Sequence, residues 1–428
     1  MKKVFVFPSC NEPGLEIINS LTKSNKFEIW GGSSYNIEFD PSRVILANYV
    51  PCPDYYEQNF RIKFEQILVE NKIDFVFPAL DVLVAEFAQW HLHKTKFITT
   101  NSNTAQLLLS KGDTYRHLKS VIPVPEIYKD SRVEFPIFAK PDHGSGSRGN
   151  LLVTNEIEFA LARERKLLLC EYLPGAEFTV DCINDLSGNM LFHNVRIRGN
   201  IGRGISLGTK DRYFPEIEDY VSKIAENIRI EGPWFAQFKL SRDGIPKLME
   251  INARVAGSMG LTRFLGVNIP LISLFLYSGS EVKIPATRQN ITLNRCLKNL
   301  GELDNFNFVI WDLDDTILRK DGKPDPDAIA CLIDLENRNK KQILLTKNQQ
   351  ARELILTHHI PNVFVETRIS EDKITETGRI LVEFGLEQSE CILVNDAYSE
   401  LLAFKEQYPR IRVITPDVLD VLGREKIK

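Results

Sequence analysis

The stretch Lys247-Leu-Met-Glu-Ile-Asn-Ala-Arg-Val-Ala-Gly-Ser258 puts a carboxylate, an amide and a guanidinium on alternate residues of an expected strand. Successive side chains of a strand point to opposite faces, so Glu250, Asn252 and Arg254 are expected on one side. Such a face is costly to bury unless an ion or anion satisfies it. Oxygen ligands beside an arginine suit Mg2+ bridging phosphates, although a solvent-facing strand edge explains the same residues equally well. Upstream, Gly232 to Leu240 reads as a second strand and Ser241-Arg-Asp-Gly-Ile-Pro246 as the turn of a hairpin. That hairpin sets Gln237 opposite Glu250 and Asn252, as a third oxygen ligand.

At 428 residues, the chain is long for one core and the expectation is two to three domains. A hydrophobic content of 43% with 26% charged residues is ordinary for a soluble globular protein, and a net charge of -4 argues against a general polyanion binder. No nucleic-acid module is visible. The apolar run after the basic start Met1-Lys-Lys is too short for a signal peptide. No apolar segment approaches the roughly 20 residues needed to cross a bilayer, so no membrane partner is expected. Seven cysteines without a CxxC pair fit reduced thiols and a cytoplasmic setting.

Short apolar runs at Val4 to Phe7, Phe27 to Trp30, Ile73 to Pro78 and Lys96 to Thr100 alternate with helical stretches near Gly14 and from Val82 to His93. Residues 1–100 therefore read as a parallel-sheet α/β domain. The loop Pro8 to Gly14 follows the first strand, where open parallel sheets bind ligands, but lacks GxGxxG spacing. Two helices follow, Asn101 to Ser110 and Lys111 to Lys119, with Lys111 read as a helix-end cation. A strand carrying Lys140 then runs into Pro-Asp-His-Gly-Ser-Gly-Ser-Arg-Gly149, a loop able to wrap N–H groups around phosphate oxygens or simply to be a flexible solvent loop. Leu167 to Ile183 reads as two strands joined at Pro174-Gly175, with Glu171 and Glu177 flanking the turn. These carboxylates suit a purine edge and a ribose, or are merely exposed hairpin acids. Arg196 and Arg198 share a strand face ahead of a glycine-rich connection, Gly199 to Gly208, and Glu216 to Ile228 is an amphipathic helix.

Taken in order, the lysine, the lysine with its Gly-rich loop, the Glu-Tyr-Leu hinge, the Gln strand and the Glu-x-Asn-x-Arg strand resemble the ATP-grasp ligases, nearest the carbamoyl-phosphate-synthase-like branch. The resemblance covers residues 1–285 and makes 101–285 the α+β ATP-grasp domain behind a pre-ATP-grasp domain. It implies that Lys111 and Lys140 contact ATP, that Glu171 with the backbone of Tyr172 and Leu173 holds the purine, and that Glu177 takes the ribose. It further implies Mg2+ on Gln237, Glu250 and Asn252, with Arg254 stabilising the transferring phosphoryl group. Gln237 stands where many relatives carry an acid, which lowers the charge at one metal position. Arg196, Arg198 and the loop after them fall where acceptor recognition is expected, and serve equally as structural ion-pair partners.

After a connector, 286–304, the pattern restarts with Phe306-Asn-Phe-Val-Ile-Trp-Asp-Leu-Asp-Asp-Thr316. Asp312 and Asp314 leave one strand end two residues apart, so that one carboxylate can attack phosphorus while the other protonates the leaving oxygen. Their mutual repulsion calls for a cation. Gln342 to Asn348 is a strand ending in Thr346, Cys391 to Asp396 one ending in Asp396, and Lys373 lies between them. This order resembles the haloacid-dehalogenase-like (HAD) phosphatases over 305–428. The resemblance implies a Rossmann-like domain with Asp312 as nucleophile, Asp314 as acid/base, Thr346 and Lys373 on the phosphoryl group, and Mg2+ on Asp312, Asp314 and Asp396. Asn395 and Glu400 depart from the family's usual glycine and aspartate. The intervals from Asp312 to Thr346 and from Thr346 to Lys373 leave no room for a large cap, so the site admits bulky phosphates or needs a neighbouring domain to close it.

The expectation is thus an α/β enzyme of two activities: an ATP-dependent ligase joining a small-molecule carboxylate to an amine, and a Mg2+-dependent phosphatase acting on a related phosphorylated compound, in a chain that allows a homodimer. A ligase with a regulatory or inactive second unit, or a nucleotide-sensing binding protein, accounts for the same motifs.

Overall fold

The computed structural model describes residues 1–427 except 36, 130–132, 145, 147, 203, 204, 285–290, 297–299 and 304, and leaves the side chains of 200–202 and 205 undescribed. It divides into two compact units, residues 1–297 and 298–427. Of the expected Gly-rich loop, Ser145 and Ser147 lie outside the described residues, as do 203 and 204 of the second glycine-rich stretch.

The first unit opens with a five-stranded sheet, β1 (Lys2–Phe7), β2 (Phe27–Gly31), β3 (Asn48–Tyr49), β4 (Phe75–Pro78) and β5 (Lys96–Phe97), in the order β3-β2-β1-β4-β5. Every pairing is parallel. Strands β1 and β4 are almost wholly buried, as apolar runs without alternation must be when helices cover both faces. Phe5, Phe7, Phe60, Phe64, Phe87 and Trp90 fill one side. The helix expected over Val82 to His93 is shorter, Asp81–Phe87. It ends because the Gln89 amide donates back to the Ala85 carbonyl at 3.0 Å while Trp90 folds in against Phe87, 4.8 Å between ring centroids. In the loop after β1, Asn11 caps the Glu12–Leu21 helix through the Gly14 N–H at 2.8 Å and donates to the Ala79 carbonyl at 3.0 Å, tying the ends of β1 and β4 together.

A three-stranded antiparallel sheet follows, β6 (Ile137–Lys140), β7 (Leu151–Val153) and β8 (Leu168–Glu171), in the order β7-β6-β8. The last sheet of this unit is antiparallel, with β9 (Glu177–Asn184), β10 (Met190–Gly202), β11 (Ile205–Asp211), β12 (Gly232–Leu240), β13 (Pro246–Asn252) and β14 (Thr292–Asn294), ordered β13-β12-β9-β10-β11-β14. Three expectations are corrected here. The strands on either side of Pro174-Gly175 belong to different sheets, so the segment is a crossing between layers and not a hairpin turn. The stretch from Gly199 to Gly208 is mostly strand, shared by β10 and β11. Part of the expected connector, Thr292–Asn294, pairs with Gly208 to Lys210.

One face of the six-stranded sheet is apolar. Phe178, Val180, Cys182, Trp234, Ala236, Phe238, Leu248 and Ile251 pack there against the Pro215–Asn227 helix and the helices Ser102–Leu109 and Lys111–Leu118. The period of two then places charged and amide side chains on the opposite face.

The second unit is a five-stranded parallel sheet, β15 (Phe308–Trp311), β16 (Lys341–Thr346), β17 (Glu366–Ile369), β18 (Cys391–Val394) and β19 (Arg412–Ile414), ordered β17-β16-β15-β18-β19, with apolar cores on both faces. The central strand Phe-Val-Ile-Trp is fully buried, and the Trp311 indole donates to Gln342 Oε1 at 3.1 Å while the Gln342 amide donates to the Leu332 carbonyl at 2.9 Å. Among the described residues no helix is long and apolar enough to cross a membrane, and all seven cysteines are free thiols.

Candidate functional sites

The hairpin of β12 and β13 pairs Gln237 with Glu250 and Phe235 with Asn252. Its register shifts between Gln237 and Phe238, because Met249 is an extra residue in β13. The bulge brings Lys247 onto the same side as Glu250 and Asn252, and it frees the Met249 carbonyl. Arg254 is not on the strand: β13 ends at Asn252. Its guanidinium instead makes a two-pronged pair with Asp81, Nε to Oδ1 at 2.7 Å and Nη2 to Oδ2 at 3.1 Å, and lies 5.2 Å over the Phe235 ring. Asp81 opens the helix after β4, so this pair anchors the acid-and-amide hairpin to the C-terminal edge of the first sheet.

Lys111 and Lys140 come to the same hairpin from different elements. Lys140, the last residue of β6, is buried and donates to the Tyr115 hydroxyl at 2.6 Å and to the freed Met249 carbonyl at 3.2 Å. The Tyr115 hydroxyl donates to the same carbonyl, and burial holds its pKa well above the ordinary phenol value. Lys111 is the first residue of its helix, the end that a cation disfavours. It also stands one residue past the C-cap of the Ser102–Leu109 helix, and its ammonium donates to the Gly144 carbonyl at 2.7 Å and lies 3.9 Å from Glu250. Asp142 fixes this arrangement, accepting from the Gly112 N–H and the Ser110 hydroxyl, both at 2.7 Å.

Cations already hold the two carboxylates assigned to the nucleoside. Glu171 accepts from Lys247 at 2.6 and 2.8 Å, and its backbone N–H donates to the Glu126 carbonyl at 2.9 Å. Tyr172 and Leu173 follow on the crossing segment, Leu173 buried. Glu177 accepts from Lys239 at 2.9 Å and from Arg198 at 3.0 Å, and Arg198 also donates to Gln237 Oε1 at 3.1 Å. Burial lowers the Arg198 pKa, against the pull of Glu177. Arg196 takes no part in the open face. It is fully buried and grips Asp181 at 2.8 and 2.9 Å, while Thr262 donates to the same carboxylate at 2.7 Å. Of the two readings of Arg196, the structural ion pair is the one observed.

The donor set of this face fits a small hard cation. Glu250 and Gln237 carry oxygens on this face beside Asn252, which is buried with its Nδ2 donor lacking a partner among the described residues, as a phosphate oxygen carried with the cation would supply. One carboxylate and two amides make a weak resident site, which suits Mg2+ arriving on substrate phosphates. Among the described residues no three His, Cys, Asp or Glu side chains are grouped to hold a metal ion by themselves.

In the second unit the expected residues gather at the C-terminal ends of the central strands. Asp312 follows β15, and its N–H donates to the Val394 carbonyl at 3.0 Å. Lys373, the first residue of the Lys373–Glu383 helix, is buried, with its ammonium 2.9 Å from both Asp312 Oδ1 and Glu400 Oε2. Asn395 donates to Asp312 at 3.3 Å and to Glu400 at 2.9 Å. Thr346 is buried, and its hydroxyl accepts from the Asn348 N–H at 3.1 Å. Asp314 is exposed and held by the Asn348 amide at 3.0 and 3.1 Å. The expected grouping of Asp312, Asp314 and Asp396 as a three-carboxylate metal site is not preassembled. Lys373 supplies the positive charge at Asp312 instead. Burial raises the Asp312 pKa even though Lys373 pulls it down. For Glu400, burial pushes the same way but is outweighed by Lys347, Lys373 and Asn395, which bring it down to about 2.

Asp81, Asp142, Lys239, Lys247, Lys347 and Asn348 had no place in the sequence reading. Lys239 lies two residues beyond Gln237, so the strand period carried a signal for it. The others take their positions from partners remote in sequence or from the Met249 bulge.

Residues 163–298 match the family described as ATP-grasp in the biosynthetic pathway with Ter operon. The carbamoyl phosphate synthase large chain of Pyrococcus furiosus is 21% identical over 281 residues, 56% of this chain and 26% of that protein. The chain therefore spans about a quarter of that relative's length. Among solved structures, the biotin carboxylase domain of Hydrogenobacter thermophilus 2-oxoglutarate carboxylase, in complex with MgADP, ADP and bicarbonate, superposes with a TM-score of 0.55 at 20% identity, covering 66% of this chain and 70% of that one. N5-carboxyaminoimidazole synthetase from Staphylococcus aureus, complexed with ADP, gives 0.54 at 16% identity, covering 66% and 78%. With a sheet hairpin carrying Glu250 and Asn252, and lysines reaching it from two other elements, the first unit contains an ATP-grasp domain whose neighbours are of the carbamoyl-phosphate-synthase and biotin-carboxylase kinds.

Proposed function

We propose that the first unit is an ATP-dependent ligase joining a carboxylate to an amine through an acyl phosphate, and that the second is a phosphatase acting through an aspartyl phosphate. The observation that carries the first half is the convergence of Lys111 and buried Lys140 on the hairpin of Gln237, Glu250 and Asn252. In this reading the two lysines bind ATP phosphates, Glu171 with the Tyr172 and Leu173 backbone holds the purine, and Glu177 accepts from the ribose. Gln237, Glu250 and Asn252 hold Mg2+, which when bound neutralises charge on the phosphate oxygens. The substrate carboxylate attacks the terminal phosphorus and ADP leaves; an amine then attacks the acyl carbon and phosphate leaves. Arg254, oriented by Asp81, stabilises the phosphoryl oxygens during transfer.

In the second unit Asp312 attacks phosphorus and Asp314, on the solvent side, gives its proton to the leaving oxygen, while Thr346 and Lys373 hold the phosphoryl oxygens. Asp312, Asp314 and Asp396 offer hard oxygens to Mg2+. A phosphorylated amino-alcohol or sugar-derived compound would serve both units, and two phosphate-handling sites in one chain motivate that choice. The dimeric Hydrogenobacter domain motivates a homodimer, which light scattering checks. The test is ADP release from MgATP across pairs of acids and amines, with phosphate release from phosphomonoesters followed in parallel. ADP formation that requires both an acid and an amine supports the ligase; tight ATP binding with no ADP from any pair overturns it in favour of a nucleotide sensor. Absence of phosphomonoester turnover with Mg2+ overturns the phosphatase and leaves a regulatory second unit.

A further inference from the structure

Glu400 accepts from three donors, and its two oxygens are not equivalent. Oε2 takes both buried Lys373 and Asn395 at 2.9 Å, whereas Oε1 takes only Lys347, at 2.6 Å. The two lysines differ as sharply: the Lys373 side chain is 6% exposed and that of Lys347 is 48% exposed. Lys347 directly follows Thr346, the hydroxyl assigned to the phosphoryl group. The next residue, Asn348, holds Asp314 through its side-chain amide at 3.0 and 3.1 Å. A solvent-reachable ammonium is therefore built into the rim of the site, one residue from the reacting centre, and resting on a protein carboxylate.

We propose that Lys347 is the recognition site for a carboxylate carried beside the phosphate of the second unit's substrate, an inference that rests on the phosphatase reading. The Lys347 end of this ion pair is open to solvent, and exchanging Glu400 Oε1 for a ligand carboxylate keeps the charge on Lys347 matched. Glu400 stays satisfied, because Lys373 and Asn395 remain on Oε2. Glu400 thus marks the position of a ligand group of its own chemistry. Lys373 cannot take that role, since it is buried against Asp312. The substrate class is a phosphomonoester with a neighbouring carboxylate, which narrows the amino-alcohol or sugar-derived phosphates proposed above to those that also carry an acid.

O-phosphoserine and O-phosphoethanolamine differ only by that carboxylate. Phosphate release from each, and the affinity of each for the Asp312→Asn protein by calorimetry, are measured on the full chain with Mg2+. The expected result is an approximately tenfold preference for phosphoserine in kcat/KM and in affinity, the size of one charge-assisted hydrogen bond. Lys347→Gln collapses this ratio towards one and Lys347→Arg retains part of it, while Lys341→Gln, at the other end of the same strand, leaves it in place. Equal use of the two compounds by the wild-type protein, or a ratio that survives Lys347→Gln, overturns the proposal and leaves the phosphatase reading standing. Neither release nor binding of either compound overturns the phosphatase reading and the proposal with it.

Discussion

Single side chains in this protein divide into those buried among fixed partners and those that line the proposed sites. Arg196 belongs to the first kind. Its pair with Asp181 is fully buried and reinforced by Thr262, so removing one partner strands a charge in the core. Arg196→Leu is expected to cost about 3–5 kcal/mol, read as a lower midpoint in urea unfolding. Glu400, held by Lys347, Lys373 and Asn395 at the proposed second site, has a lowered pKa with a stability consequence. A carboxyl whose pKa falls from 4.5 unfolded to about 2 folded contributes stability that is complete above 4.5 and is lost as pH falls towards 2. Asp312, raised by burial, acts in the opposite sense: its contribution is present below its unfolded value and is lost as pH rises through the folded one. Unfolding of wild-type and Glu400→Gln proteins between pH 6 and 2 should therefore diverge at the upper end and meet at the lower; parallel curves would remove Glu400 from the account. Residue chemistry was legible in the sequence where it was local. Gln237 opposite Glu250 followed from the strand period and one turn. Arg254 with Asp81, 173 residues apart, had no local signal, and neither did Lys247 with Glu171.

At the scale of elements, the apolar strands of both parallel sheets were readable because burial on both faces removes alternation. The switch between sheets at Pro174-Gly175 was not, since a crossing segment and a hairpin turn demand the same residues. What distinguishes them is an approach visible only in three dimensions. The Gly175 N–H donates to the Leu240 carbonyl at 3.0 Å, and a Cβ on Gly175 would stand 2.5 Å from Leu240 Cβ. The crossing segment therefore lies against the end of β12 with no room for a side chain. Gly175→Val is expected to destabilise the protein by about 2 kcal/mol through this overlap, and to weaken ATP binding as well, because Tyr172 and Leu173 precede the glycine by only a few residues. A fluorescent ATP analogue and thermal unfolding read the two effects. Loss of stability with unchanged nucleotide affinity would detach the crossing segment from the purine. The bulge at Met249 was equally hidden. One extra residue in β13 moves Lys247 onto the polar face and exposes the carbonyl on which Lys140 and Tyr115 meet, and no propensity marks where a strand gains it.

Across the whole chain, the proposed reading divides the chemistry between the two units: the residues proposed to hold the nucleotide lie between 111 and 254, and those proposed for phosphomonoester cleavage between 312 and 396. Each unit has cores of its own, built on its own sheets, so a substitution at one proposed centre is expected to leave the other activity in place. Hydroxylamine makes this measurable without knowing the amine, because it captures an acyl phosphate as a hydroxamate. Glu250→Gln keeps the shape of the hairpin but removes the carboxylate of its polar face, and is expected to cut acid-dependent hydroxamate formation by about a hundredfold, or about 2.7 kcal/mol, while phosphomonoester cleavage stays within about twofold. Asp312→Asn removes the attacking oxygen and should do the reverse. If either substitution lowers both rates together, one reaction feeds the other through a common intermediate and the units do not act independently; if neither lowers its own rate, the assignment of that centre is wrong.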